Sequence, residues 1–68
     1  MERLAKIDKA IKKAKLSISV NKNEISTNEG NEFAVKHFEK GIEEWGLILE
    51  ALEFLKKRYV EIVNREED

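Results

Sequence analysis

Sixty-eight residues leave room for one small domain, and 13 Lys and Arg against 14 Asp and Glu give a formal net charge of −1. The chain has no Cys, which excludes a disulfide scaffold, a thiolate zinc site and a Cys nucleophile. No run approaches the roughly 18 apolar residues of a membrane span, and the start lacks a signal-peptide apolar core, so a soluble, cytoplasmic protein is expected.

A hydrophobic content of 41% is enough to fold. A monomer this small buries only about 60% of the surface its unfolded chain exposes. Without disulfides, very regular helix packing or self-association must supply the missing stability. Lys and Glu together number 22 and Gln is absent, a bias seen in hyperthermophile proteins. Five heat-labile Asn argue the other way, so a thermophilic source stays open. The charge is also divided. Residues 1–22 carry +5 and residues 23–68 carry −6.

The first predicted element is a short amphipathic helix over about 2–15. Leu4, Ile7, Ile11, Ala14 and Ile18 recur in steps of three and four and fall within about 80° of the helix circumference. Lys6, Lys9 and Lys13 lie opposite. Beyond Lys15 two readings compete for the connection, about 16–29. Leu16 to Val20 alternates with period two, and Ile25 with Thr27 could answer it in a β-hairpin over 16–27. The other reading keeps Ile18 on the helix and makes 19–28 a polar link. Ser26-Thr27-Asn28-Glu29 has capping-box spacing, with Thr27, Asn28 and Asn31 as rival caps for the next helix.

That helix is expected over about 30–65. Val35, Phe38, Ile42, Trp45, Leu49, Leu52, Tyr59 and Val63 hold one heptad phase, which Lys56 alone interrupts. The phase passes through Gly41 and Gly46 without slipping. After Trp45 the apolar residues occupy most of the circumference, and a helix of that kind is normally buried on more than one side. A short helix with five modest side chains cannot cover it. The chain is therefore expected to be mainly α, an oligomeric helical bundle, most simply a C2 dimer in which paired long helices complete a four-helix arrangement. The expected interface is Trp45, Ile48, Leu49, Leu52, Leu55, Tyr59, Ile62 and Val63. The alternative is a bend at Gly41 or Gly46 that folds the chain into a three-helix monomer.

The chemistry-bearing residues are sparse. His37 is the only histidine, and the positions three and four residues away are Phe33, Ala34, Lys40 and Gly41, so no local metal partner exists. Glu39, Glu43, Glu44, Glu50 and Glu53 lack the Glu-x-x-His signature of a bundle metal site. Glu53, Lys57, Glu61 and Arg65 are instead spaced for i,i+4 pairing on a solvated face. Ser17, Ser19, Ser26 and Thr27 sit where turn, strand or cap duty explains them, and the three glycines match no phosphate-binding fingerprint. These features point away from an enzyme, with no catalytic, cofactor or metal residue to assign.

Two surfaces remain. The basic face of the first helix, Arg3, Lys6, Lys9, Lys12 and Lys13, could track nucleic-acid phosphates. It lacks interleaved aromatics and base-reading Asn or Gln, so steering the basic helix onto the acidic one is its more ordinary use. Trp45, Phe54 and Tyr59 could anchor a ligand or protein, or simply pack. The leading expectation is a self-associating structural or interaction protein, serving as a subunit or adaptor for an unidentified protein partner. A nucleic-acid-binding accessory protein is second, and a helical cap for a separately encoded enzyme third.

Overall fold

A computed structural model describes residues 2–67, apart from the side chains of Glu66 and Glu67. Two helices, α1 (Glu2–Thr27) and α2 (Glu32–Glu67), form an antiparallel hairpin measuring 57 × 15 × 11 Å. At 1.5 Å per residue their lengths are about 39 and 54 Å. The expected short helix, β-hairpin and long connection are corrected here. Residues 16–27 are helical, and the link shrinks to residues 28–31.

The reason lies in a register that continues past Ile18. The α1 stripe of Leu4, Ile7, Ile11, Ala14 and Ile18 continues in the same three–four rhythm through Asn21, Ile25 and Asn28. All eight are buried or half-buried. Asn21 replaces the expected apolar residue, and its Nδ2 donates to the Ser17 carbonyl one turn back at 2.8 Å. Asn28 Nδ2 and the Thr27 hydroxyl donate to the Glu24 carbonyl at 2.7 and 3.1 Å. Poor helix formers are thus tied to the helix by their own side chains, and Ile18 and Ile25 keep the stripe on α2.

Gly30 makes the turn with φ +95°, a left-handed conformation that suits glycine. Asn31 then caps α2. Its Oδ1 accepts from the Ala34 amide at 3.2 Å, and its carbonyl accepts from the Val35 amide at 3.0 Å. The capping box expected at Ser26 and Glu29 is not used, because Ser26 still lies in α1 and Glu29 lies in the turn.

In α2, Val35, Phe38, Ile42, Trp45, Leu49, Leu52, Lys56, Tyr59 and Val63 are all half-buried. The helix runs unbroken through Gly41 and Gly46, so the bend needed for a three-helix monomer does not occur. Lys56, the polar interruption of the heptad, reaches Asp8 on α1 at 2.7 Å, with both side chains 43% exposed. A Cβ on Gly41 would sit 3.0 Å from Asn21 Oδ1, so the glycine makes room for the amide. These two cross-helix neighbours, Asp8 with Lys56 and Asn21 with Gly41, mark the antiparallel register. The core is thin. Among the described residues only Ile7, Ile11 and Ala14 are buried, and all three come from α1.

Candidate interaction surface

Side chains of α2 that do not face α1 form a second apolar stripe. Leu47, Ile48, Ala51, Phe54, Leu55 and Ile62 fall within about 120° of the circumference, at 100° per residue. The centre of that arc lies about 140° from the centre of the α1-facing seam. All six are exposed, Leu47 at 64%, Phe54 at 68% and Leu55 at 51%. A narrow rod has no third element to cover them.

The eight residues expected at the interface separate into two groups. Trp45, Leu49, Leu52, Tyr59 and Val63 lie half-buried on the seam against α1. Ile48, Leu55 and Ile62 lie on the outer stripe. Leu47 and Phe54 are more exposed than any of the eight, yet they were not among them. The signal that finds them is subtraction. Once the heptad from Val35 to Val63 is assigned to α1, positions 47, 48, 51, 54, 55 and 62 remain as a second phase, which Phe33, 87% exposed, shares at the start of the helix. Trp45 and Tyr59 therefore face α1 while Phe54 faces solvent, so the three aromatics do not converge into one cage.

The short N-terminal companion expected from the sequence is in fact 26 residues long. It spans most of α2 lengthwise and still covers one side only. The shortfall lies around the circumference of α2, not along its length.

The charges behave differently from expectation. The ion pair found among the described residues, Asp8 with Lys56, takes its acid from the basic helix and its base from the acidic one. Arg3, Lys6, Lys9, Lys12 and Lys13 are all exposed. The helical period that turns the Ile7–Ile11–Ala14 stripe toward α2 carries Lys6, Lys9, Lys12 and Lys13 to the far side and leaves Arg3 beside the seam. Steering of basic α1 onto acidic α2 is thus not what the close contacts use. Glu53, Lys57, Glu61 and Arg65 are exposed as well and do not close to ion-pair distance.

A smaller apolar pair, Leu16 at 65% and Val20 at 49% exposure, sits on α1 beside a shallow groove shared with Lys13, Ser17, Asn21 and Trp45. His37 is exposed and stacks edge-on against Phe38, with ring centroids 5.3 Å apart. Among the described residues no group of three or more His, Asp or Glu side chains is placed to hold a metal ion. No described helix is long and apolar enough to cross a membrane. In comparisons with known proteins, no family model, curated protein or solved structure matches the chain.

Proposed function

We propose that this chain is a self-associating structural or interaction protein of the cytoplasm, a non-enzymatic subunit whose long helix is covered by further copies. The observation that carries this reading is the outer stripe of α2, with Leu47, Ile48, Phe54, Leu55 and Ile62 exposed beside a core of three buried residues. Fully burying an exposed Leu, Ile or Phe side chain is worth roughly 1.5–3 kcal/mol, so covering five that are about half or more exposed offers several kcal/mol to so small a fold. A second copy is the simplest cover, since a two-fold axis provides an equal stripe from the partner.

Thermal unfolding followed by circular dichroism tests the reading. A fold that depends on association melts at a temperature that rises with chain concentration. A midpoint constant over a hundredfold dilution would count against self-association.

A second reading is supported by the exposed cations of α1. Lys6, Lys9, Lys12 and Lys13 lie on the side away from α2 and Arg3 at its edge, a surface that suits a phosphate backbone and lacks base-reading groups. Retention on nucleic acid at low salt that disappears at moderate salt is its expected signature; no retention at low salt removes it.

A further inference from the structure

We infer that two copies pair through antiparallel α2 helices about a two-fold axis at Ala51, each Glu44 meeting the partner's Arg58. This inference rests on the self-association proposed above and adds its orientation and register. Within the outer arc, the residues from position 44 to position 58 are Glu44, Leu47, Ile48, Ala51, Phe54, Leu55 and Arg58, all exposed. Their offsets from Ala51 are −7, −4, −3, 0, +3, +4 and +7. Helix geometry alone dictates that symmetry of spacing. The symmetry of chemistry comes from this sequence, with the smallest side chain at the centre, large apolar ones on both sides and opposite charges at the two ends.

Antiparallel pairing about Ala51 sets Leu47 against the partner's Leu55 and Ile48 against the partner's Phe54. The small Ala51 lets the helices approach where they cross. Glu44 then lies opposite the partner's Arg58 twice, once at each end. Neither residue is ion-paired among the described residues. In a parallel pair each position would meet itself, Glu44 on Glu44 and Arg58 on Arg58, and like charges facing one another oppose association. The charges therefore select the orientation and the apolar residues drive the association. Beyond this segment the match loosens. Ile62 would face the partner's Lys40, whose methylene stem can cover it while the ammonium stays in water.

The chain has no Cys, so introduced thiols report cleanly. Ala51→Cys, Leu47→Cys and Leu55→Cys, all at exposed positions, are oxidised singly, and the last two also as an equimolar mixture. Expected are cross-linked dimers from Ala51→Cys alone and from the mixture. Leu47→Cys or Leu55→Cys alone should not cross-link, because the two copies of one position lie eight residues apart along the axis, about 12 Å, against the roughly 4 Å between Cβ atoms of a disulfide. Cross-linking of Leu47→Cys and Leu55→Cys each on its own would show a parallel pair and overturn the arrangement, leaving self-association standing. A dimer by sedimentation with no cross-link from Ala51→Cys or the mixture would also overturn the register. No cross-link from any variant together with a monomeric parent chain would overturn self-association itself. Charge exchange gives an independent check. Glu44→Arg should weaken association about tenfold, from two surface pairs turned repulsive, and adding Arg58→Glu to the same chain should restore it. Failure of the double variant to recover would contradict the Glu44–Arg58 pairing.

Discussion

The two apolar faces of α2 carry similar side chains in opposite surroundings. The inner face, from Val35 to Val63, is half-covered by α1 and is interrupted once, at Lys56, which Asp8 answers. The outer face, from Leu47 to Ile62, meets no other element of the chain and is exposed throughout. The inner face has a strict heptad spacing matched by the same spacing on α1, and that match is what a two-helix seam requires. The outer face is shorter, and its central stretch, bounded by Glu44 and Arg58, is self-complementary about Ala51. Hydrophobicity alone does not separate the two. Spacing relative to a partner stripe does.

The sharpest way to break this comparison is to injure each face separately. Ile11→Ala removes a side chain only 8% exposed from the thin core. The loss should be about 2–4 kcal/mol in urea unfolding at fixed chain concentration, and a loss below about 1 kcal/mol would mean that the α1–α2 seam does not hold the fold. Leu55→Glu acts on the outer face. It should weaken association roughly a hundredfold, since each substitution counts twice across a two-fold axis. The seam remains, so the change should fall mainly on mass; Leu52→Glu, on the inner face, should instead lower helicity and mass together. If the two glutamate variants behave alike, the division into inner and outer faces is wrong.

Smaller effects sharpen the seam itself. Gly46 has open space where a Cβ would go, so Gly46→Ala should raise stability by about 1 kcal/mol through helix propensity. Gly41→Ala gains the same propensity, but its Cβ presses on Asn21, which is bonded to the Ser17 carbonyl. Its thermal midpoint should move little, and a gain as large as that at Gly46 would mean that Asn21 is free to move. Asp8→Asn removes the exposed ion pair with Lys56 and should cost less than about 1 kcal/mol, a difference that shrinks in high salt.

Much of the helical content was legible in the sequence because strong periodicity survives without tertiary information. The stripe from Leu4 to Ile18 and the heptad from Val35 to Val63 both appear in the structure as read. The segment from Leu16 to Thr27 was not legible. Its serines and asparagines have weak helix propensity, and Leu16 and Val20 imitate a strand alternation. What decides it is cross-helix packing of Ile18, Asn21 and Ile25, and polar Asn21 hides the continuing register. The cap at Asn31 was visible only as one of several rivals, since local sequence does not say where the turn falls. For the candidate surface, the surplus of apolar girth in α2 was legible. Its location was not, because residues such as Leu52 and Leu55 are equally apolar and only the position of α1 tells them apart.

Sedimentation equilibrium of the unaltered chain tests the central claim most directly. If the outer face of α2 is covered by another copy, the particle mass is a multiple of the 7.9 kDa chain, most simply twice that value, and falls toward 7.9 kDa only on dilution. A fully helical species of 7.9 kDa at every concentration examined would contradict the account.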